Sequence, residues 1–445
     1  MVVVGGIIGA GIFINPYIVA QRLDSGWLVM AAWIAGGGIA IAGAFTFAEL
    51  GSLFPTAGGH YAYLRDAYHP LAGFLYGWAL LLMIESGAIA AVAIIFAEYT
   101  LRLVGNEGGS TSVLAVLAIV VVAAVNYLGM KPGSRLLNAF VVLKVGAILV
   151  LIGAGFLIGG GAAPEAPLPL AEQAAEASPL FLAFGAALIP IMFSYGGWQN
   201  ANYVAEEIRD PVKKLPISLL AGTAVVVTVY ALVNLVYLRT LGHAGLAGSM
   251  TPAADTANQL FGDTGDRLIA LTIAISTFGF LNLTMLAPTR VYYAMARDKL
   301  FMPAVARLHP RFRTPSLAIV IQSVWAVVLV LSGTYAQLID YVVLADWIFF
   351  GLAGASLFVF RRTHPLGARP KGTFRTVGYP LVPGLFVAVS VLIVGSVLRS
   401  NPVGSGIGLA LLLTGVPAYG YWSRRGSSGG GEDSPDAGPV HPEGG

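Results

Sequence analysis

The sequence predicts an all-α polytopic membrane protein of twelve transmembrane helices. The first and sixth are discontinuous and occupy matching places in an inverted five-plus-five repeat. Three observations carry this reading. Hydrophobic residues make up 57% of the 445 residues and charged residues only 11%, against roughly 25% charged in an ordinary soluble domain. The few charges sit between apolar runs, and mostly on one side of a twelve-span topology. Two glycine-rich interruptions, Gly9-Ala10-Gly11-Ile12-Phe13 and Phe193-Ser194-Tyr195-Gly196-Gly197-Trp198, fall inside otherwise apolar helices about half the chain apart.

A spanning helix needs about 20 mostly apolar residues. Polar, proline and glycine breaks divide the chain into candidate spans at 2–21, 27–54, 71–101, 113–130, 135–160, 180–205, 216–240, 267–295, 315–332, 336–360, 380–398 and 404–422. The third and eighth exceed one crossing and imply tilt. With the amino terminus inside, the inner loops and tail carry Arg65; Lys131 and Arg135; Arg209, Lys213 and Lys214; Arg297, Lys299, Arg307, Arg311 and Arg313; Arg361, Arg362, Arg369, Lys371 and Arg375; and Arg424 and Arg425. That is 18 cations, against five outside: Arg22, Arg102, Arg239, Arg267 and Arg399. A miscount by one helix would scramble this bias, so it supports both the number and the orientation. The net charge of +3 therefore reads as membrane orientation, not nucleic-acid affinity.

Residues 1–160 form the first repeat, 180–360 the inverted second repeat and 380–422 helices eleven and twelve; the Gly/Ser/Pro-rich tail 423–445 is expected to be disordered. No basic region precedes Val2–Ile8, so the opening residues are expected to belong to the first span and not to a cleavable signal. There is no cysteine, which excludes a disulfide framework, a thiolate metal site and a catalytic thiol.

A broken helix at membrane depth is costly, because freed backbone groups find no water unless they line a polar cavity. Paired breaks in the two halves of a chain point to a transporter's binding site. In the first break, Gly9, Ala10 and Gly11 bare N–H groups at the start of a second half-helix, which attract a carboxylate. Free carbonyls ending the first half attract an ammonium, and one zwitterion satisfies both. The plainer reading is close helix packing through small residues. The second break adds free carbonyls at 193–196, rings at Phe193, Tyr195 and Trp198 to cover a bound side chain, and a polar cluster of Gln199, Asn200 and Asn202, leading to Glu206, Glu207 and Arg209. No acidic or basic residue lies in either break, which points to neutral side chains.

Lys144 is alone among cations deep in a span, about 13 Å from the start of the fifth helix near Arg135. Intramembrane charge is functional by default; snorkelling to the inner face is the alternative. Glu85 and Asp346 are the other buried acids. Glu85 is open between a proton relay and a hydrogen-bonded carboxyl, Asp346 reads as the latter, and Glu98 as solvated at the outer end. His60, His69, His243, His309, His364 and His441 all fall in loops or tails, so no intramembrane haem or metal site is expected.

The segments GGIIGAGIF, FPTAGGHYAYL, FSYGGWQNANYVAEEIRDP and PTRVYYAMARDKLFMP resemble the signatures of the amino acid–polyamine–organocation superfamily, closest to its L-type amino acid transporter branch and bacterial relatives. The resemblance spans helices one to ten. It implies the leucine-transporter fold and alternating access. It also implies substrate contacts through the backbone of Ile7, Ala10 and Gly11 and through Phe193, Ser194 and Gly196, with Phe193 as outer aromatic gate. It places a lysine at Lys144 where sodium-coupled relatives hold sodium, tying helix five to helices one and eight. Two departures stand out: Ala10 replaces a common serine, and the family's tail before the first span is missing, which points to a mis-assigned or truncated start.

The candidate binding set is thus Ile7, Gly9, Ala10, Gly11, Ile12, Phe193, Ser194, Tyr195 and Gly196, with Lys144, Phe193, Trp198 and Glu85 in gating or coupling. The expected protein is a sodium-independent amino acid transporter of the cytoplasmic membrane, both termini cytoplasmic, working by exchange or facilitated transport without cofactor, metal or nucleic acid. Proton symport is the alternative. A membrane enzyme or redox subunit would need intramembrane histidine pairs, a metal cluster or a nucleophile with its base, and a channel would lack paired breaks. Animal relatives pair with a glycoprotein through a loop cysteine; without cysteine that disulfide cannot form.

Overall fold

The computed structural model of the protein describes residues 2–55, 58–106, 108–129, 134–159, 180–203, 205, 208, 210–364, 369 and 372–428. Its regular elements, among these residues, are helices. The first predicted span is α1 (Val2–Ile7) and α2 (Asn15–Arg22), separated at the glycines; α3 (Gly26–Leu53) is the second. A short α4 (His60–Ala67) precedes the third span, α5 (Pro70–Ala79) and α6 (Glu85–Leu103), which are joined by a π-helical turn at Leu80–Ile84. Then follow α7 (Thr111–Tyr127), α8 (Ser134–Leu157), the broken pair α9 (Leu180–Tyr195) and α10 (Asn200–Tyr203), α11 (Pro211–Ala247), α12 (Pro252–Leu286) and α13 (Thr289–Arg297). The chain continues through α14 (Ser316–Ser332), α15 (Tyr335–Thr363), α16 (Leu381–Ser400), α17 (Pro402–Leu413) and α18 (Gly415–Ser428). Eight helical stretches are long and apolar enough to cross a membrane, and α7, α9 and α14 are shorter apolar helices. With the broken first span they account for the twelve predicted spans.

Three boundaries differ from the sequence reading. The helix α4 was hidden because it is short and follows Gly58 and Gly59, both at positive φ, which fold it back into the bundle where His60–Leu64 are buried. Helix α11 continues past its predicted end to a turn at Gly242 (φ 72°), and α12 begins at Pro252 and bends at Gly262 (φ 67°). Pro252 at the first turn and Asp255 beside it are a helix-start signature that hydropathy alone does not register. Helix α18 runs to Ser428, so the expected disordered tail is helical over 423–428; residues 429–445 lie outside the described residues, as do Lys131, Glu206, Glu207, Arg209 and Lys371.

In the core α3 lies along α11, α6 along α12 and α15 along α16. Glu49, at the end of α3 and fully buried, accepts from Arg361 Nη2 at 2.6 Å, Arg369 Nη1 at 3.1 Å and the Thr376 amide at 2.7 Å. These donors satisfy the carboxylate and pin Arg369 and Thr376 to the bundle. Removing one partner of such a buried pair costs about 3–5 kcal/mol.

Opposite ends of the bundle carry separate ionic braces. At one, Arg102 binds Asp266 (2.8 Å) and Asp255 (2.7 Å), joining α6 to both parts of α12. At the other, Asp298 accepts from Arg65 (2.5 Å) and Tyr61 (2.6 Å), joining the end of α13 to α4. The Asp66 and Asp298 carboxylates hold the Arg65 guanidinium above its usual range. The Arg65–Asp298 pair is about one-third exposed, so its removal is worth about 1 kcal/mol or less, an upper bound near fivefold on any opening equilibrium. In this cysteine-free chain, a Thr284→Cys probe on the cavity wall described below is expected to react about threefold faster with a water-soluble maleimide when Asp298→Asn is added. An unchanged rate assigns the brace no part in access.

Candidate functional site

The site grows out of the two breaks. After α1, the Gly9 amide turns back to the Ile7 carbonyl (2.6 Å), and the next regular bond is Phe13 N–H to Ala10 (3.1 Å). Between them the amides of Ala10, Gly11 and Ile12 meet no protein acceptor among the described residues. Tyr230 donates its hydroxyl to the Ile7 carbonyl at 3.0 Å, and the Gly6 and Ile8 carbonyls receive no bond among the described residues. In the second break the Gly196 amide takes the Phe193 carbonyl (3.2 Å), so that oxygen is spent. The Ser194, Tyr195 and Gly196 carbonyls remain open among the described residues.

The breaks touch. Gly197 has φ +100°, and a Cβ there would overlap the Gly6 carbonyl. A Cβ on Gly11 would stand 2.7 Å from Ser194 Oγ. Gly196 differs: its Cβ would meet only neighbouring carbonyls at 3.3 and 3.5 Å. Of the two adjacent glycines, the backbone requirement therefore belongs to Gly197.

A buried asparagine locks the halves together. Asn15 Nδ2 donates to the Pro190 carbonyl (2.9 Å) and Ser194 Oγ (2.8 Å), and its Oδ1 accepts from Tyr335 (3.0 Å). Pro190 has no amide, which leaves the Ala186 carbonyl without its helical donor, and the Arg22 guanidinium supplies one. Each hydrogen bond contributes about 1 kcal/mol. Asn15→Ala is therefore expected to lower unfolding stability by about 3 kcal/mol and depress transport with it; a thermal midpoint equal to the parent's removes Asn15 as the lock.

Between the breaks lies a cavity. Ile7, Gly9, Ala10, Gly11, Phe193, Ser194 and Gly196 line it, together with Gly6 and Gly197, which the sequence reading passed over. Ile12 is fully buried off the wall. Tyr195 turns away too: its hydroxyl donates to the Trp33 carbonyl (3.2 Å) and its ring packs on Trp33 and Tyr230. Trp198 also stands off the wall, packed between Phe47 (4.7 Å) and Phe350 (5.0 Å).

The far walls come from α6, α12 and α15 and were not legible as a surface in the sequence. The π turn shifts the register at Leu80–Ile84, and Ser86 and Trp325 take the displaced Leu81 and Leu82 carbonyls (both 2.6 Å). Glu85 emerges from it onto the cavity wall, as π turns often present functional residues. Asp346 lines the cavity as well, and its Oδ1 has no partner, which corrects its reading as a hydrogen-bonded carboxyl. Phe280, Thr284 and Trp347 also lie on this side, with apolar residues of α6 and α15 such as Val92 and Val343, and Asn200 joins the wall from α10.

Lys144 is buried on α8; its ammonium donates to the Gly5 carbonyl (3.2 Å) and sits 5.0 Å from the Phe280 ring centroid. It thus touches α1 and α12, and lines a second cavity that shares Phe280 as a wall. Glu98 is partly buried and accepts from Thr111 (2.8 Å). Two histidines are not in loops: His243 bonds the Leu23 carbonyl from α11, and His60 is wholly buried on α4 among Phe47, Tyr76, Trp198 and Phe350, with both ring nitrogens unpartnered. Among the described residues no group of three His, Cys, Asp or Glu is placed to hold a metal.

Residues 1–416 match the family model described as amino acid permease. The chain belongs to the amino acid permease family. It is 30% identical over 423 residues to the serine/threonine exchanger SteT of Bacillus subtilis (strain 168), covering 94% of this chain and 93% of that one. It is 30% identical over 424 residues to the human cystine/glutamate transporter (94% and 82% covered). It is 31% identical over 434 residues to the human large neutral amino acids transporter small subunit 2 (95% and 79% covered). This permease is accordingly a multi-pass membrane protein and an amino acid transporter, not an enzyme.

Proposed function

We propose that this permease exchanges L-amino acids across the cytoplasmic membrane by alternating access, without sodium, and that it reads their α-groups through backbone. One observation carries the reading: two broken helices face each other over one cavity, offering the open amides of Ala10, Gly11 and Ile12 to a carboxylate and open carbonyls of both breaks to an ammonium. Phe193, partly exposed on the wall, is the gate ring. Residues 1–160 and 180–360 act as the inverted repeats, a division supported by the matching breaks and by the pairings α3 with α11 and α6 with α12. Both termini are cytoplasmic, from the cation bias of the loops. One relative is named a small subunit; any such pairing of this cysteine-free chain is noncovalent.

The relatives are named for different side chains, and the expectation of neutral substrates took in only the breaks. The test is counterflow: proteoliposomes loaded with one unlabelled amino acid take up labelled amino acid above its equilibrium level if the protein is a carrier. Uptake that is indifferent to internal amino acid indicates a uniporter or channel instead. Competition should need both α-groups, and strong competition by a simple polyamine would move the assignment to another branch of the superfamily.

A further inference from the structure

We infer that the cavity binds amino acids whose side chain ends in a cation, with Glu85 and Asp346 as its counter-charges. This rests on the α-group reading above and specifies the other end of the same substrate. Glu85 and Asp346 are 4% and 8% exposed, on the α6 and α15 walls of the cavity. Among the described residues Asp346 Oδ1 is buried without a partner, no hydrogen bond reaches Glu85, and no lysine or arginine lines the cavity; Lys144 is engaged with Gly5 and Phe280. A third acceptor points the same way: Asn200 Oδ1, on a residue 7% exposed at the cavity wall, is also unpartnered. In a wall otherwise lined mainly by apolar residues, two carboxyls that receive no hydrogen bond form a polar patch that suits an ammonium with its three N–H groups, whose charge would hold them ionised. The α-ammonium is already met at the break carbonyls, so the acids call for a second cation, as in lysine or ornithine.

The experiment uses the full chain in proteoliposomes, in parallel sets loaded with L-lysine and with L-serine. Labelled lysine and serine uptake is competed by L-lysine, L-norleucine (the same carbon chain without the ammonium), Nε-acetyl-L-lysine and 1,5-diaminopentane. Lysine is expected to compete at least about tenfold better than norleucine or the acetylated form, the loss for leaving charged acceptors unmet. Glu85→Gln and Asp346→Asn should each shrink that preference by about tenfold. Serine or norleucine preferred over lysine in the parent overturns the cation subsite and leaves the α-group reading standing. Diaminopentane competing as well as lysine overturns the α-group reading, and absence of exchange with every amino acid overturns both. An undiminished lysine preference in both folded variants also overturns the assignment. If either variant fails to elute as a single species, the parent's lysine-to-norleucine ratio decides alone.

Discussion

Gly197→Ala is expected to abolish exchange, by about 100-fold or more, while Gly196→Ala is tolerated by the fold. Two penalties act together at Gly197. Its φ of +100° is one that side chains rarely adopt, at a cost of about 1–3 kcal/mol. Its Cβ would also overlap the Gly6 carbonyl, backbone that has no rotamer to escape with. The two breaks must then part, and a displacement near 1 Å between groups that hold one ligand costs about 100-fold. At Gly196 the nearest protein atoms stand 3.3 Å or more from a Cβ, so only bound substrate would feel the methyl. Counterflow with thermal unfolding of both variants checks this. Gly197→Ala retaining parental exchange would sink the contact between the breaks as the organising feature of the site. Gly196→Val and Gly11→Val extend the series; both should lose binding, the second also through Ser194, 2.7 Å from the added Cβ.

Lys144→Ala is expected to lower transport at least tenfold and binding less. The ammonium's bond to the Gly5 carbonyl (3.2 Å) and its place 5.0 Å from the Phe280 ring centroid link α8 to α1 and α12. A hydrogen bond from a charged donor is worth about 1.5–3 kcal/mol, enough for that loss. If this cation stands in for sodium, uptake with choline replacing sodium should equal uptake in sodium; dependence on sodium rejects the idea. An inward proton gradient then separates the modes. Stimulation in the parent that is lost in Lys144→Ala selects symport, and acceleration by internal amino acid without a gradient effect selects exchange, which we favour.

The spans were legible because twenty-residue apolar runs and loop cations are one-dimensional features. The breaks were legible because consecutive glycines inside such runs leave backbone that only a lined cavity accommodates. Helix α4 and the turn from Gly242 to Gly262 were not, since short amphipathic helices leave no hydropathy signature. Within the site, motif position singled out Gly11 and Ser194, and placed Ile12 and Tyr195 beside them on the same footing. A helix points successive residues about 100° apart, so neighbours in sequence part company at a wall.

What the sequence determined by itself is the membrane class, the span number and the paired breaks, because bilayer thickness and backbone hydrogen bonding constrain each locally. What tertiary structure decided is which of two adjacent glycines carries the contact, that Asn15 locks the breaks, and that Glu85 and Asp346, 261 positions apart in the numbering, look into one cavity. Those depend on how helices distant in sequence pack, a property that residue spacing along one helix does not encode.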